Sequence, residues 1–296
     1  MPLGLLKYGL SSGHPAKRFL SARPELKSNY DVVIIGGGGH GLATAYHLAR
    51  YHGIRNVAVF EKSYIGGGNT GRNTAIIRSN YLTPEGVAFY EESVSLYRQL
   101  SQELDYNILY TERGHFTLAH NDASMRTSRW RAEVNKHLGI DSELVYRDDL
   151  ARLIPQLNLS EDVRYPILGA LYHPPGAIAR HDAVAWGYAG RAAEMGVEIH
   201  QDTTVTDIEV TDGRVTGVVT DRGRVSCGKA VQAVAGASTI IADMAGLKLP
   251  IRTIPLQACV SQPHKPILDP IIVSGSLHVY ISQSDRGELV MGGSTD

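Results

Sequence analysis

The stretch DVVIIGGGGHGLATAYHLARYHG, residues 31–53, decides how the chain begins to fold. Residues 31–35 form an apolar run typical of a buried strand, and residues 40–53 repeat apolar side chains at helical spacing. The turn between them satisfies the pattern G-x-G-x-x-G at Gly36, Gly38 and Gly41. The first glycine permits a tight turn, the second lets a pyrophosphate approach the backbone, and the third allows close packing of the helix on the strand. The stretch therefore predicts a dinucleotide-binding unit with the phosphate at the helix N-terminus.

The segments that follow this unit predict which dinucleotide is bound. Residues 57–61, VAVFE, indicate a second strand, and Glu61 at its end suits the ribose hydroxyls of the adenosine. Residues 62–81, KSYIGGGNTGRNTAIIRSNY, then replace the crossover helix that is usual in a nicotinamide dehydrogenase. Their Gly, Asn, Thr and Arg residues suit a second phosphate and a flavin ring. A flexible surface loop without a ligand would explain the glycines but not the apolar residues after them, so FAD is favoured.

Composition excludes several classes of function. The chain has 296 residues, and 29 basic residues nearly balance 30 acidic ones, so nothing suggests a nucleic-acid partner. Two cysteines, Cys227 and Cys259, cannot build a disulfide framework, which favours the cytoplasm. No apolar run is long enough to cross a bilayer. Residues 1–30 carry five Lys or Arg and one acid, and two interpretations stay open: an arm packed on this or another subunit, or an organellar transit peptide.

The rest of the chain alternates between helical and strand periods. Helices are predicted from Pro84 to Leu104, from the capping residue Asn121 to His137, and over residues 181–196. A strand is predicted at residues 114–120, and a meander after residue 196 with an Asp-Gly turn at residues 212–213. One histidine, His173, precedes two prolines in GALYHPPGAIARHDAVAWGYA, residues 169–189. The local sequence leaves open whether it is an ordinary loop histidine or an anchor for a bound group.

Four segments together resemble the beta subunits of heterotetrameric sarcosine oxidases, a branch of the D-amino-acid-oxidase-like flavoproteins: YDVVIIGGGGHGLATAYHLA, GGGNTGRNTAIIRSNYL, LYHPPGAIARHDAVAWGYA and GELVMGG. The resemblance runs from about residue 29 to the last residue. It implies an α/β fold (α+β overall), with a Rossmann-type FAD-binding domain and a mixed-sheet substrate domain. We expect an N-terminal arm at 1–30, the FAD-binding domain at 31–83 and 181–250, and the substrate domain at 84–180 and 251–296.

The resemblance also implies an activity. Family enzymes demethylate sarcosine to glycine and pass electrons through non-covalent FAD and covalent FMN to oxygen, which leaves as hydrogen peroxide. The methyl carbon leaves as formaldehyde or as 5,10-methylenetetrahydrofolate. The implied partners are alpha, gamma and delta subunits of a heterotetramer, with tetrahydrofolate and NAD expected on a partner subunit. Two alternatives stay open: another FAD-dependent amino-acid oxidase or dehydrogenase, and a redox-silent flavin-binding assembly subunit.

Site residues follow from the same resemblance. His173 falls at the histidine that family members link to FMN, and Arg78 at the arginine that related amine oxidases use to clamp the substrate carboxylate. A surface arginine at a loop end is the alternative for Arg78. His278 and Tyr280 are expected to reach the substrate from the second sheet. The residues expected to contact FAD are Gly36, Gly38, Gly39, His40, Gly41, Glu61, Lys62, Asn69, Thr70, Arg72, Asn73, Ile76 and Val205.

Family members continue beyond GELVMGGSTD, with which this sequence stops. The resemblance therefore implies an incomplete member, whose remaining part would hold further FAD contacts and an oxygen-activating lysine.

Overall fold

The computed structural model describes residues 24–293 together with Leu10 and Leu20. The expectation for residues 1–30, an arm or a transit peptide, therefore lies largely outside the described residues. The chain divides into two compact units. The first contains the residues up to Ile65 and Tyr188–Leu249, and the second contains Gly66–Gly187 and the residues from Pro250 onward.

The helices and strands follow one another along the chain in this order. The first half contains β1 (Asn29–Ile35), α1 (Gly39–His52), β2 (Val57–Phe60), a 3₁₀ helix (Asn69–Arg72), β3 (Ile76–Ile77), α2 (Pro84–Glu103), β4 (Thr111–Glu112), β5 (His115–Ala119), α3 (Asp122–His137), β6 (Glu143–Tyr146) and α4 (Arg147–Leu153). The second half contains β7 (Gly169–His173), β8 (Ala177–Ile178), α5 (His181–Glu194), β9 (Glu198–His200), β10 (Val205–Thr211), β11 (Arg214–Thr220), β12 (Gly223–Gln232), a 3₁₀ helix (Ala235–Ala237), α6 (Ser238–Met244), β13 (Gln257–Pro263), β14 (Ile271–Ser274), β15 (Val279–Gln283) and β16 (Glu288–Gly293).

The first unit is built on a six-stranded sheet in the order β10-β11-β12-β1-β2-β9. Strands β12, β1, β2 and β9 are parallel, and β10, β11 and β12 form an antiparallel meander. Asp212 and Gly213 join β10 to β11 with φ of 51° and 74°, the geometry of a tight hairpin turn with two positive φ angles. Tyr30, Val33 and Phe60 are completely or almost completely buried in the core of this unit. The predicted Rossmann-type arrangement is confirmed.

The second unit is built on a seven-stranded mixed sheet in the order β13-β16-β15-β14-β5-β7-β6. Only the β14–β5 pair of this sheet is parallel. A small three-stranded sheet, β3-β8-β4, belongs to the same unit. The α/β class with a mixed second sheet, expected from the resemblance, is therefore confirmed.

The boundaries of the two compact units differ from the expected domain boundaries in two segments and at Pro250. Residues 66–83, which we expected in the FAD-binding domain, lie in the second unit, because β3 pairs with β8. Residues 181–187, the first half of α5, lie there as well. The local sequence of residues 62–81 predicts a flavin-binding loop, but it carries no information about the pairing of β3 with the distant strand β8.

Local signals placed the C-terminus of α1 and the N-termini of α2 and α3 correctly. Gly53 ends α1 in the left-handed conformation, with φ of 67°. Pro84 lies in the first turn of α2, and Asn121 caps α3 through a reciprocal capping box with Ser124. Within the part of the chain that the structure describes, no helix has the length and apolar character needed to cross a bilayer.

Candidate functional site

The glycine turn of the first unit connects β1 to α1, and its fingerprint positions Gly36 and Gly41 cannot tolerate side chains. Gly36 has φ of 109°, and a Cβ there would collide with the carbonyl oxygen of Ala233. A Cβ on Gly41 would collide with the carbonyl oxygen of Gly36, because α1 packs directly against the turn. These are the close approaches that the dinucleotide fingerprint requires.

The N-terminus of α1 is suited to an anionic group. Gly38 is the N-cap, no side chain caps this end, and the first turn of this described helix contains no acidic residue. The first turn of α1 therefore supplies no carboxylate of its own to neutralise the positive end of the helix dipole. His40 is exposed in the same turn. A phosphate group matches this electrostatic environment.

The Glu61 carboxylate holds the glycine turn against the end of β2. Its Oε2 accepts a hydrogen bond from the Gly37 amide at 2.8 Å, and its Oε1 accepts from the amide and hydroxyl of Ser63 at 3.0 and 3.1 Å. The sequence predicts a carboxylate here, but neither of these two protein partners was expected from it. A serine two residues after an acid was the available signal for Ser63. Since a carboxylate offers about four acceptor positions, Glu61 keeps capacity for one further donor.

The other predicted residues of the first unit lie near Glu61 in different environments. Glu61 donates its amide hydrogen to His200, and its carbonyl accepts from the Thr203 amide at 2.9 Å. This pairing brings the chain from the end of β2 to the start of β10, where Val205 is buried in the core. Lys62 is exposed.

The predicted loop residues of the second unit form one compact turn. Asn69, Thr70 and Arg72 lie in the 3₁₀ helix, and the Asn73 side chain donates to the Thr70 carbonyl at 2.8 Å. Asn73 Oδ1 accepts from the Ala75 amide at 2.6 Å, so its amide group shapes the loop itself. Ile76 follows as a half-buried residue of β3.

His173 ends strand β7 and is completely buried, opposite His115 of β5. Its Nδ1 lies 2.7 Å from the carbonyl oxygen of Asp141, and its Nε2 lies 3.4 Å from the Ser79 amide nitrogen. A carbonyl can only accept, so this contact assigns the proton to Nδ1 and leaves the lone pair on Nε2. Burial lowers the pKa of His173, and the Arg78 charge lowers this pKa further, against the opposing effect of the Asp141 carbonyl. The ring is therefore a neutral imidazole with an available Nε2.

Arg78 lies beside this histidine and is held by two neighbours. Its Nη1 donates to Asn80 Oδ1 at 2.9 Å, and its guanidinium lies over the Tyr81 ring at 4.3 Å. Tyr81 in turn stacks on Tyr90 with ring centroids 3.9 Å apart. Such a half-buried, oriented guanidinium can hold a carboxylate or phosphate through paired hydrogen bonds.

Helix α3 adds two residues that the sequence analysis did not select. Arg131 Nη2 donates to the Asn80 carbonyl and Asn135 Nδ2 to the Tyr81 carbonyl, each at 2.8 Å. The two side chains are four residues apart and so lie on one face of the helix. A polar pair at this spacing beside the buried Ser128 and Ala132 was the signal that could have identified them.

Unpaired polar atoms concentrate at this place. Six buried side-chain nitrogen or oxygen atoms among the described residues have no hydrogen-bond partner, and five of them belong to one group of residues: Ser79 Oγ, Asn80 Nδ2, His115 Nδ1, Arg131 Nε and Asn135 Oδ1. We call these five residues, with Arg78 and His173, the arginine–histidine cluster. An unpaired buried polar group costs about 1–3 kcal/mol, and such groups are normally satisfied by a ligand or water. The cluster is therefore the candidate ligand site of the second unit.

The last two predicted residues lie elsewhere in this unit. His278 is exposed in the turn between β14 and β15 with φ of 51°, and Tyr280 is half-buried on β15. Among the described residues, no side-chain hydrogen bond joins either of them to Arg78 or His173. The strand position expected for His278 is wrong, because the turn begins directly after Ser274.

Comparison with known proteins supports the flavoprotein interpretation. Residues 31–296 match the family model described as FAD dependent oxidoreductase. A sarcosine oxidase subunit beta from Arthrobacter sp is 50% identical over 283 residues, which cover 96% of this chain and 69% of the relative. The corresponding protein from Rhodobacter capsulatus is 49% identical over 93% of this chain and 66% of its own length. The chain thus spans about two thirds of the length of these relatives.

A solved structure has the same architecture. L-proline dehydrogenase from P. horikoshii superimposes with a TM-score of 0.81 at 26% identity, over 91% of this chain and 71% of that protein. Glycine oxidase from Geobacillus kaustophilus has a TM-score of 0.80 at 22% identity and supports the fold alone. With the glycine turn, the buried Glu61 and the mixed second sheet, these matches lead to one assignment. The chain belongs to the FAD dependent oxidoreductase family and, within it, to the group of sarcosine oxidase beta subunits.

Proposed function

We propose that this chain is the flavin-carrying subunit of an enzyme that oxidises sarcosine to glycine, with FAD non-covalently bound and FMN attached covalently to His173. The neutral, buried imidazole of His173 carries the proposal, because its Nε2 lone pair is the nucleophile that such a bond requires. When bound, the flavins accept two electrons from the amine and pass them to oxygen, which gives hydrogen peroxide.

The protein supplies the position of the histidine. The Asp141 carbonyl fixes the ring and its tautomer through Nδ1, so Nε2 faces Ser79. The contact with the Ser79 amide is long, at 3.4 Å, and a bond at Nε2 would replace it. The unpaired atoms of the arginine–histidine cluster fit a polar cofactor at this position. Pro174 and Pro175 follow directly and restrict the backbone that presents the ring.

For FAD, the glycine turn and the N-terminus of α1 suit the pyrophosphate, and Glu61 suits the ribose. We assign Gly36, Gly38, Gly39, His40, Gly41, Glu61, Lys62 and Val205 of the first unit to this cofactor. The assignment of Asn69, Thr70, Arg72, Asn73 and Ile76 to FAD stays a prediction.

For the substrate, Arg78 is assigned to the sarcosine carboxylate, since its guanidinium is already oriented by Asn80 and Tyr81. Holding the carboxylate would fix the position of the N-methyl group relative to the oxidant. The roles of His278 and Tyr280 towards the substrate stay predictions.

The proposal extends to the assembly. The relatives are named as subunits, which supports a multi-subunit enzyme, and we propose alpha, gamma and delta partners in a heterotetramer. Tetrahydrofolate and NAD would lie on a partner, and the methyl carbon would leave as formaldehyde or 5,10-methylenetetrahydrofolate. We propose the cytoplasm as the location, because the two cysteines of the described chain are both free.

One alternative function has an observation in its favour. L-proline dehydrogenase shares the architecture over 91% of this chain, so oxidation of another amino acid is the second candidate. Anaerobic addition of sarcosine, or of proline, to the flavoprotein separates the two, because only the true substrate bleaches the oxidised flavin.

The test of the main proposal uses the assembled enzyme on a denaturing gel. FMN should stay with this chain and fluoresce under acid, whereas FAD should be released. His173→Asn should abolish the fluorescence, keep FAD bound and still permit a single reduction by sarcosine, while turnover with oxygen collapses. His181→Asn is the matched control. His181 lies at the start of α5, so this variant should retain the covalent flavin on His173. A covalent flavin on another residue, or none on this chain, would overturn the proposal.

A further inference from the structure

We infer that Arg78 and Arg131 together form one oxyanion-binding site in the second unit, with Asn80 as the residue that holds both guanidinium groups. The inference deepens the proposed function, on which it rests for the identity of the anion. A carboxylate of the substrate and the phosphate of the covalent flavin offer the same chemistry, so the shared ligand is an oxyanion. From the sequence, Arg78 alone was expected to bind an anion.

Both arginines donate hydrogen bonds to the same residue, Asn80. Arg78 donates to the side chain of Asn80, and Arg131 donates to the carbonyl of the same residue. Asn80 is completely buried, as are its neighbour Ser79 and the α3 residue Asn135. Since Asn80 is buried and accepts a hydrogen bond from each guanidinium, the two guanidinium groups are held close to each other.

The charges of the two arginines are not compensated within the described chain. Neither Arg78 nor Arg131 forms an ion pair with any described carboxylate. The negative charge of Glu91 acts to raise the pKa of His173, but Glu91 forms no hydrogen bond or ion pair with either arginine. His115 cannot supply an anion, and burial together with the Arg78 charge keeps its ring neutral by lowering its pKa.

Burial makes this uncompensated charge costly. Burial lowers the pKa of the Arg131 guanidinium, and the Arg78 charge lowers this pKa further. Two neighbouring positive charges with restricted access to water repel each other, and an anion between or beside them removes the repulsion. The cost of keeping the pair together is therefore a reason to expect a bound anion.

Most of the five unpaired atoms of the arginine–histidine cluster are hydrogen-bond donors, as an oxyanion ligand requires. Four of the five can donate: Arg131 Nε, Asn80 Nδ2, Ser79 Oγ and, in the tautomer protonated there, His115 Nδ1. An oxyanion offers several acceptor positions and can satisfy donors of this kind, with the planar guanidinium providing a paired contact. Asn135 Oδ1 can only accept, because its Nδ2 is already donated to Tyr81, so it requires an N–H or O–H group of the ligand instead.

A purely structural role for Arg131, holding the Asn80 carbonyl, makes a different prediction. That role needs one donor, which lysine also supplies, and it does not need the Nε group. Arg131→Lys should then behave like the wild type. An oxyanion site needs the planar fork, so Arg131→Lys and Arg131→Gln should both lose anion affinity.

The experiment uses the assembled enzyme and the two variants, with Arg126→Gln as the control because Arg126 is exposed on the same helix. Acetate and inorganic phosphate serve as probes, titrated separately through the absorbance change of the bound flavin and the melting temperature. We expect Arg131→Gln and Arg131→Lys to weaken binding of at least one probe about ten- to a hundredfold, and Arg126→Gln to leave it unchanged.

Two further readouts identify the source of the anion. If the site holds the substrate carboxylate, Arg131→Gln raises the KM for sarcosine and spares an N-methylamine without a carboxylate, with flavin content unchanged. If it holds the flavin phosphate, the variant lowers the yield of covalent flavin on the gel. The inference is overturned if Arg131→Gln and Arg126→Gln match in probe binding, KM and flavin content. Failure of the proposed function looks different: the wild type binds the probes but sarcosine never bleaches its flavin.

Discussion

At the scale of single residues, Glu61 holds the glycine turn through the Gly37 amide and is the residue that we propose to bind the FAD ribose. Glu61→Ala should remove the acceptor of the Gly37 amide and the proposed ribose contact together. A lost hydrogen bond to a charged group is worth about 1.5–3 kcal/mol, so FAD affinity should fall roughly ten- to a hundredfold. Equilibrium dialysis followed by flavin fluorescence measures this. Glu25→Ala, at an exposed position of the same unit, is the control, and equal FAD retention in both variants would contradict the assignment.

The buried histidines of the second unit predict a pH dependence. The pKa values of His115 and His173 are both lowered by burial and, to a lesser extent, by the Arg78 charge. The unfolded chain therefore binds protons near pH 6.5, where the folded unit does not. The free energy of unfolding should be constant above about pH 6.5 and should decrease as the pH falls below it, by up to about 1.4 kcal/mol per pH unit for each histidine.

Urea unfolding, followed by tryptophan fluorescence, tests this directly, because Trp130 and Trp186 both lie in the second unit. His115→Asn should flatten the decrease in the free energy of unfolding between about pH 6.5 and pH 5. His137→Asn, at an exposed position at the end of α3, should leave it unchanged. An identical pH profile for all three proteins would show that the buried rings do not control stability.

At the scale of secondary structure elements, the contact between α1 and the glycine turn predicts whether Gly41→Ala raises or lowers the free energy of unfolding. Helix propensity alone predicts that Gly41→Ala stabilises α1 by up to about 1 kcal/mol. The structure predicts the opposite, because the new methyl group meets the Gly36 carbonyl and must push the helix away. We expect a loss of about 1–3 kcal/mol in the free energy of unfolding, together with weaker FAD binding.

Thermal denaturation with and without FAD separates the two expectations for Gly41→Ala. Gly275→Ala is the control, since a Cβ at Gly275 meets open space. A Gly41→Ala protein with unchanged or raised stability would mean that α1 can move away from the turn without cost.

At the scale of the whole molecule, an exposed apolar segment predicts self-association of the 296-residue chain. Strand β13 is the terminal strand of the seven-stranded sheet in the described chain, and Leu256 and Val260 are 72% and 62% exposed. Ile251 and Ile254 extend this apolar surface. Exposed edge strands with apolar side chains pair with other chains, so the polypeptide expressed alone should associate and should not turn over sarcosine.

Sedimentation velocity measures this association. Leu256→Lys combined with Val260→Lys should raise the monomer fraction, because charges on an edge strand oppose pairing. Leu96→Lys, which replaces an exposed apolar residue of α2, should have little effect. A monodisperse wild-type monomer that oxidises sarcosine would contradict both parts of the prediction.

The sequence by itself determined the features that depend on neighbours in the chain. The glycine turn, the helix end at Gly53 and the cap at Asn121 follow from backbone conformation and from hydrogen bonds within a few residues. The resemblance added the family and the fold class, and it selected His173 and Arg78 from residues that local pattern left ambiguous.

Only the tertiary structure decided how the candidate site of the second unit is assembled. Ser79 meets His173 across 94 residues of sequence and Arg131 meets Asn80 across 51, through backbone groups that leave no mark on composition or periodicity. The same holds for residues 66–83, whose unit is set by the pairing of β3 with β8. Local signals act over one or two turns of chain. The balance of buried charge and unpaired hydrogen-bonding groups arises only when distant segments are packed together.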